Sequence, residues 1–425
     1  MPDANTHYPR VIHPQLNSDL SLYPVVAVMG ARQVGKSTIC QEIAEAQGFA
    51  RRTLDERDVR EQAIADPEGF LADLGDRGAF IDEVQRAPDL MLAIKAVVDR
   101  DRRKGQYLLS GSNQPKVGKS VSDSLVGRAT YRTLRPLTLS ELRFDEEHRG
   151  WSFLFQPDDA VVLAELERRA ASSGPLDWRS VVQAGGFPRA VAAPSAQRLR
   201  MLDDYVEIFS RRDILEILEV ESAPRLEAFV RLTAARTGQE LNLTGLSNDL
   251  GTPVTTIRRW LEALQRSYLI ELIPPYSRNS GQRVIKTPKL YSVDAALALA
   301  ASRETTPTGF HLETLVASDL LVWRDGAPTR DLYHWRLSSG QEVDFILEEN
   351  GQLLPVEVKA ASTVSASEAR HVVTFRERHA HTPRGIVMSG DPKIRANRCR
   401  ARVAVERMHP HTTGCRNKPA VSSND

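Results

Sequence analysis

Residues 25–38 read Val25-Val26-Ala27-Val28-Met29-Gly30-Ala31-Arg32-Gln33-Val34-Gly35-Lys36-Ser37-Thr38. The apolar run at the start predicts a β-strand, and the residues from Gly30 onward fit the pattern G-x-x-x-x-G-K-[ST]. An amphipathic stretch follows and predicts a helix. A strand, a glycine-rich loop and a helix in this order predict a loop that cradles phosphate groups.

The loop residues 30–38 are the candidate nucleotide-binding residues. Gly30 and Gly35 allow a tight backbone path whose N–H groups point at phosphate oxygens, and the first turn of the helix adds its positive end. We expect Lys36 to reach the β- and γ-phosphates and the Ser37 hydroxyl to bind Mg²⁺. The sequence therefore predicts ATP and Mg²⁺ at this loop.

Composition limits the class of protein. A chain of 425 residues is long enough for about two to four domains. Its net charge of +1 means that any contact with nucleic acid must come from a local basic patch. Cys40, Cys399 and Cys415 have neither metal-binding nor disulfide spacing. With no apolar run of membrane-spanning length and no signal peptide, we expect a cytoplasmic protein without a membrane partner.

A second motif, Gly78-Ala79-Phe80-Ile81-Asp82-Glu83, is a short apolar run that ends in two acids. In enzymes that have such a phosphate loop, an acid after a strand supports Mg²⁺ and a neighbouring carboxylate can activate water. We therefore assign Asp82 to the metal and Glu83 to the general base. The alternative is an ordinary strand followed by an acidic turn.

Two further catalytic candidates flank predicted strands. The run Tyr107-Leu108-Leu109-Ser110-Gly111-Ser112-Asn113 predicts a strand whose end points at the ligand crevice. Asn113 or Ser112 could there contact the γ-phosphate or water, or could simply form a turn. Arg128 precedes the last predicted strand of this sheet, and an arginine there could act on a neighbouring subunit's nucleotide. An ion pair within its own subunit is the alternative.

Taken in order, the segments GARQVGKST, FIDEVQ, YLLSGSNQ, LVGR and RPLTLSEL resemble the AAA-type ATPase core of a large ATP-binding protein family of bacteria and archaea. Residues 185–188 and 205–213 continue the resemblance, which covers about residues 20–390. The resemblance implies Mg²⁺-dependent ATP hydrolysis and, after the ATPase core, a domain of unknown function. An arginine that acts between subunits would also imply a homo-oligomer.

The middle of the chain predicts helices. Residues 146–236 have helical periodicity and predict a lid of the AAA type. Arg189, Arg211 and Arg212 are candidates for a nucleotide-sensing arginine in this lid. The sequence does not distinguish among the three.

Residues 237–290 predict a winged-helix-like element, because a short helix, a tight turn and a second helix are followed by a strand. Spacing of three and four residues places Ile257 and Trp260 on the inward face of the second helix. Arg258 and Arg259 would then face outward, in a stretch where basic residues outnumber acidic ones. They are candidate DNA contacts, and a protein partner is the alternative.

The carboxyl-terminal part contains Asn350-Gly351 between alternating runs, which predicts a hairpin with a type I′ turn. This register places Asp344 opposite Glu357 and Glu342 opposite Lys359, with all four on one face. The other face would be the apolar core face, formed by Val343, Phe345, Leu347, Leu354, Val356 and Val358. Because Pro cannot donate to a ladder, Pro355 predicts a strand at a sheet edge.

Like charges directly opposite each other destabilise a hairpin. A divalent cation between Asp344 and Glu357 would remove that repulsion, and carboxylate oxygens suit Mg²⁺ or Mn²⁺. The alternative is a solvated face on which Glu342 pairs with Lys359.

These side chains, together with Glu313 in a predicted helix, resemble the catalytic set of the PD-(D/E)xK nuclease superfamily. The resemblance implies that Glu313, Asp344 and Glu357 bind Mg²⁺ or Mn²⁺ and that Lys359 orients water. Cleavage of DNA and an inert nuclease-like scaffold both stay open. Beyond Asp391 the chain is basic with little apolar periodicity, which predicts a disordered tail and the loss of a closing strand.

The predicted fold class is α/β, with a P-loop AAA-type parallel sheet and helical lid, a winged-helix element and an α/β nuclease-like domain. The expected units are an arm at 1–20, the ATPase core at 21–145, the lid at 146–236, the winged-helix-like element at 237–290, the nuclease-like domain at 291–390 and the tail at 391–425. The expected function is ATP hydrolysis coupled to nucleic-acid contact. The alternative is a non-catalytic, nucleotide-switched regulator that binds DNA or a protein.

Overall fold

The computed structural model describes residues 7–112, 125, 127–144, 150–173, 177–216, 218, 222–277, 287–365, 367–379, 381–390 and 403–404. Its strands are β1 Val25–Met29, β2 Ala50–Thr53, β3 Ala79–Asp82, β4 Tyr107–Gly111, β5 Ala129–Thr133, β6 Gln239–Glu240, β7 Ile270–Ile273, β8 Lys289–Ser292, β9 Arg330–Arg336, β10 Glu342–Glu349, β11 Gln352–Lys359, β12 Gly385–Ser389 and β13 Val403–Ala404. Its α-helices are α1 His13–Leu22, α2 Lys36–Gln47, α3 Arg57–Ala65, α4 Pro67–Ala72, α5 Leu90–Asp101, α6 Leu139–Leu142, α7 Asp159–Ser173, α8 Trp178–Ala184, α9 Pro188–Ala192, α10 Ser195–Ile208, α11 Ala223–Ala235, α12 Leu243–Leu250, α13 Val254–Arg266, α14 Ala295–Ala301, α15 Gly309–Asp325 and α16 Arg370–Arg378. Within these ranges, no helix combines the length and apolar character needed to span a membrane.

The first sheet is parallel, and its order among the described strands is β2-β3-β4-β1-β5. The apolar β1 is buried between β4 and β5, with Val25 opposite both Tyr107 and Ala129. The carboxyl ends of β1, β3 and β4 therefore lie at one edge, where the loops that follow them meet. This confirms the predicted α/β class with a parallel sheet of the P-loop type.

The predicted N-terminal arm is instead largely a packed helix, so this expectation was wrong. α1 buries Leu16 and Leu20 in the same core as β1. Arg132 of β5 donates to both carboxylate oxygens of the buried Asp19, at 2.6 and 2.8 Å. A buried ion pair, rather than water, therefore satisfies Asp19.

The described residues of the segment 239–292, which are 239–277 and 287–292, form two short helices and a small antiparallel sheet of order β6-β8-β7. α12 and α13 are joined by residues 251–253. α13 buries the apolar residues that three- and four-residue spacing predicts for its inward face, namely Ile257, Trp260, Leu261 and Leu264. Two helices joined by a short turn are thus present, and the winged-helix assignment stays a prediction.

The segment predicted as a lid divides between two parts of the molecule. α10 and α11 share a core with the parallel sheet and α13. Residues 152–171 and 177–184 pack instead against the carboxyl-terminal sheet, whose core contains Trp178 and Val182. Arg384 and Asp159 add an ion pair of 2.9 Å to this contact. Helical periodicity shows which face of a helix is apolar but not which neighbour covers it, so residues 146–236 are not a single unit.

The second large sheet has the order β13-β12-β11-β10-β9 in the described part of the chain. Asn350 (φ 52°) and Gly351 (φ 78°) form the turn, and Glu349 pairs with Gln352. The predicted hairpin register is therefore confirmed. Both faces of this sheet are covered, one by α15 and the other by α16.

Two expectations for the hairpin were wrong. Val343 packs on the α16 side, whereas Phe345 packs on the α15 side, because the pairing of β10 with β9 is irregular between Val343 and Ile346. β11 is also not an edge strand. β12 pairs with it from Val356 onward, so Pro355 lies just outside that ladder and its missing N–H costs nothing there.

The tail differs in part from the expectation of a missing strand. β13 pairs in parallel with β12, with Gly385 opposite Val403. A strand beyond β12 is therefore present. The other residues from 391 to 425 lie outside the described residues.

Candidate nucleotide-binding site

The phosphate loop lies at the carboxyl edge of the parallel sheet, between β1 and α2. Gly30 has a φ of 152°, and a Cβ atom there would lie 2.2 Å from the carbonyl oxygen of Leu134. Only glycine fits such a position. Gly35, with a φ of 96°, is the N-cap of α2. Residues 30–38 thus form the predicted loop, with the positive end of a helix directed at it.

Lys36 is buried and turned back onto its own loop. Its Nζ donates to the carbonyl oxygens of Gly30 at 2.9 Å and Ala31 at 2.7 Å. Burial lowers the pKa of Lys36 to about 8, although Glu83 and Asp82 act in the opposite direction. Phosphate oxygens would favour the charged lysine in the same way as the two acids do.

Ser37 and Asp82 face each other between α2 and β3. Ser37 Oγ donates to Asp82 Oδ1 over 3.2 Å, and the hydroxyl of Ser110 donates to the same oxygen. A hydroxyl and a carboxylate suit Mg²⁺, which takes few protein ligands and completes its shell with water and phosphate oxygens. The residues present therefore fit the ion that the loop predicts. Sequence reasoning did not identify Ser110 as a partner of Asp82.

Glu83 follows in the left-handed conformation, with a φ of 56°. Ser112 Oγ donates to Glu83 Oε2 over 3.3 Å, and the amide of Gln85 donates to the same oxygen. The other carboxylate oxygen, Oε1, accepts no hydrogen bond from a described side chain. Gln85 belongs to the FIDEVQ segment, but the sequence did not predict its contact with Glu83.

The two remaining catalytic candidates have different outcomes. Asn113 lies outside the described residues. Arg128 forms an ion pair with Asp99 of α5, which is the alternative that the sequence left open. Because β5 runs parallel to β1, Arg128 lies at the amino edge of the sheet, and the length of β1 separates it from the phosphate loop.

A cavity of about 630 Å³ opens beside the phosphate loop. Gly35 and Thr38 line one side, and the residues before α1 together with α9 and α10 line the other. Tyr8 contributes a buried hydroxyl that has no hydrogen-bond partner in the described part of the chain. Of the three lid arginines, Arg189 lines this cavity, whereas the exposed Arg211 pairs with Glu207 at 2.7 Å. No sequence motif predicted a role for Tyr8 at this site.

The predicted DNA-contacting residues are on the surface. Arg258 and Arg259 are both exposed on α13, and neither forms an ion pair with a described residue. Lys289, at the end of the basic stretch, is buried instead, with 3 % of its side chain exposed. The basic surface is therefore smaller than the sequence suggested.

The predicted metal ligands of the carboxyl-terminal part surround an ammonium group. Lys289 Nζ lies 2.9 Å from Glu313 Oε1, 2.6 Å from Glu342 Oε1 and 3.1 Å from Asp344 Oδ1. Within the ranges described above, no group of three His, Cys, Asp or Glu side chains is arranged to hold a metal ion. The residues present therefore do not fit the second Mg²⁺ or Mn²⁺ ion.

Glu357 and Lys359 form a separate ion pair on β11. Glu342 pairs with Lys289 and, at 3.6 Å, with Arg336, instead of with Lys359 as the alternative prediction had it. Burial raises the pKa of Glu357 to about 8, and the charge of Asp344 adds to this. The ammonium of Lys359 offsets the charge of Glu357, so the proximity of Glu357 to Asp344 does not require a cation.

Three families match successive parts of the chain. Residues 22–143 match the AAA domain, residues 176–308 match a domain of unknown function (DUF8612), and residues 308–405 match another domain of unknown function (DUF4143). The first match covers the phosphate loop and the parallel sheet. Residues 22–143 are therefore similar to the AAA domain, and residues 308–405 are similar to DUF4143.

Two uncharacterized proteins, from Mycobacterium bovis and Mycobacterium tuberculosis, are each 29 % identical to this chain over 372 residues, which is 84 % of this chain and 74 % of theirs. Among solved structures, a Walker-type ATPase of Pyrococcus abyssi is 14 % identical, with a TM-score of 0.36, and covers 71 % of this chain and 98 % of its own. The RuvB Holliday junction branch migration motor of Thermotoga maritima is 18 % identical, with a TM-score of 0.28, and covers 61 % of this chain and 88 % of its own.

Proposed function

We propose that this chain binds ATP with Mg²⁺ at the phosphate loop of its AAA domain, hydrolyses it, and couples the nucleotide state to nucleic-acid contact. The observation that carries this is the meeting of three elements at one edge of the sheet. Lys36 and Ser37 begin α2, Asp82 ends β3 with Ser37 Oγ 3.2 Å away, and Glu83 follows. A phosphate ligand, a metal-binding pair and a base are thereby brought together.

Each residue has one task in this proposal. The N–H groups of the loop and Lys36 bind phosphate oxygens, and Ser37 and Asp82 hold Mg²⁺. Mg²⁺, when bound, neutralises charge that develops on the γ-phosphate. Glu83 has one carboxylate oxygen held by Ser112 and Gln85 and accepts a proton from water through the other.

The cavity beside the loop is the proposed site of the base and ribose. It begins at Gly35 and Thr38, where the phosphates would end. The Tyr8 hydroxyl supplies a hydrogen-bonding group that the described residues leave unsatisfied, and a buried group of this kind is costly to leave unpaired. Arg189 supplies a positive charge at the same cavity.

Equilibrium ATP binding and steady-state turnover test the proposal together. We expect Glu83→Gln to bind ATP as the wild type does and to lose about 10²- to 10⁴-fold in turnover, because the base is gone. We expect Lys36→Ala to lose ATP binding. Glu61→Gln, at an exposed acid on α3, is the control that should leave both quantities unchanged. Wild-type turnover by Glu83→Gln would exclude Glu83 as the base.

The second candidate function is a nucleotide-switched regulator that binds DNA or a protein without hydrolysing ATP. The observation that favours it is the exposed pair Arg258 and Arg259 on a winged-helix-like element of two helices and a small sheet, since binding there needs no chemistry. ATP binding by the wild type with turnover at the level of Glu83→Gln would select this function.

A further inference from the structure

A buried ammonium lies at the place where the sequence predicted a metal ion. Lys289 begins β8, on the DUF8612 side of residue 308, and 3 % of its side chain is exposed. Its three acidic partners lie on the DUF4143 side, where α15 provides Glu313 and β10 provides Glu342 and Asp344. One lysine from one domain therefore holds three carboxylates of the next.

The ammonium of Lys289 uses its full hydrogen-bonding capacity in this cluster. An –NH₃⁺ group has three donors, and each has one carboxylate oxygen within 3.1 Å. Burial alone would lower the pKa of Lys289, but Asp344, Glu313 and Glu342 outweigh it and hold the pKa above its usual range. The group therefore stays charged. The separations are those of charge-assisted hydrogen bonds, whereas Mg²⁺ needs oxygens at about 2.0–2.1 Å.

Two further groups of the chain donate to the carboxylates of this cluster, whereas Glu357 Oε2 beside it is buried with no hydrogen-bond partner among the described residues. The backbone N–H of Val358 donates to Asp344 Oδ2 over 2.9 Å, and the hydroxyl of Tyr291 donates to Glu313. A divalent ion that entered would leave the ammonium of Lys289 buried beside a like charge, which is costly.

We propose that Lys289 takes the place of a divalent cation in this cluster, which therefore serves as a joint between β8 and the DUF4143 domain and not as a metal-dependent hydrolytic site. The proposal does not depend on ATP hydrolysis at the phosphate loop. It implies that the carboxyl-terminal part does not cleave DNA through Glu313, Asp344 and Glu357.

Manganese binding to the full chain without nucleotide tests this proposal, with bound Mn²⁺ counted by electron paramagnetic resonance. We expect the wild type and Asp344→Asn to bind Mn²⁺ equally. Lys289→Met removes the ammonium and leaves a side chain of nearly the same length, and this variant should bind one more Mn²⁺ per chain than the wild type. The double variant Lys289→Met/Asp344→Asn should not bind this additional Mn²⁺. Lys359→Met is the matched control. It removes the lysine that pairs with Glu357 and should gain no site.

One Mn²⁺ bound by the wild type and lost in Asp344→Asn would overturn the proposal. A folded Lys289→Met that binds no more Mn²⁺ than the wild type would also overturn it. Lys289→Met could unfold because the carboxylates around residue 289 are left unpaired. In that case the comparison of Mn²⁺ binding by the wild type and by Asp344→Asn still tests the proposal, since both keep the ammonium. Recovery of the folded state of Lys289→Met on addition of Mn²⁺ would support the substitution of one cation for the other.

Discussion

Among single residues, Gln85 adds a new member to the nucleotide site. Its Nε2 donates to Glu83 and, over 3.0 Å, to Ser112 Oγ. Gly111 leaves room for this amide, because a Cβ atom at Gly111 would lie 2.8 Å from Gln85 Oε1. Gln85 thus fixes the carboxylate of Glu83 without lining the phosphate loop, and it acts as a positioning residue.

We predict that Gln85→Ala lowers the kcat of ATP hydrolysis by roughly tenfold or more and leaves KM nearly unchanged. Glu83 would keep only the Ser112 contact, and a misplaced base loses part of the roughly 10²- to 10⁴-fold that such a group supplies. Steady-state kinetics measures both quantities, with the exposed-acid variant Glu61→Gln as the control. An equal rise in KM with kcat constant would instead indicate a role in binding.

Among the elements, α13 has one buried face and one exposed face. Its apolar residues pack into the core shared with the ATPase sheet, while Arg258 and Arg259 stay in solvent. The helix is thereby anchored and can present two cations on a rigid surface. Contacts of arginine with phosphate are independent of sequence and weaken with salt.

We predict that the chain binds duplex DNA in a salt-dependent manner and that Arg258→Ala/Arg259→Ala weakens this binding. Loss of two phosphate contacts should reduce the slope of log K against log salt by about two. Fluorescence anisotropy at several salt concentrations measures the slope. Arg51→Ala/Arg52→Ala, at two exposed arginines of β2, is the charge-matched control. An identical loss in both variants would indicate a general charge effect and not a site on α13.

In the whole molecule, Arg135 connects the nucleotide site with the two following domains. Arg10 donates to the carbonyl oxygens of Val34 in the phosphate loop and of Arg135, at 2.8 and 2.6 Å. The guanidinium of Arg135 in turn donates to Asp325 of α15 at 2.6 Å and to Glu271 of β7 at 3.1 Å. These hydrogen bonds form a continuous path from the loop to β7 and α15.

We predict that Arg135→Met keeps ATP affinity, lowers the free energy of unfolding by about 1–3 kcal/mol, and abolishes any effect of ATP on amide exchange in residues 309–325. The stability loss is moderate because Glu271 and Asp325 are 26 % and 23 % exposed and still pair with Arg324. Urea unfolding and hydrogen exchange measure the two effects. Arg231→Met breaks the ion pairs of Arg231 with Asp203 of α10 and with Glu227 of α11. This control variant should be less stable than the wild type yet keep the effect of ATP on amide exchange.

Features that depend on local geometry could be predicted from the sequence. The phosphate loop has glycine at positions where the φ angle is positive, and the hairpin turn has Asn350 and Gly351 at its two positions of positive φ. Each sequence pattern therefore predicts the local backbone conformation directly. The contact of Ser37 with Asp82 also follows, because parallel strands bring their carboxyl ends to one edge. These predictions concern residues whose neighbours are decided by the backbone path alone.

What the sequence by itself determined is therefore the parallel sheet, its phosphate loop and the hairpin of β10 and β11. Only the tertiary structure decided which cation meets the carboxylates of Glu313, Glu342 and Asp344. It also decided which part of the molecule covers residues 152–171 and 177–184. A carboxylate can be balanced by a metal, an ammonium or a proton, and residue type does not distinguish among them. The choice depends on a strand 24 residues away from Glu313 along the chain, which the fold brings within hydrogen-bonding distance.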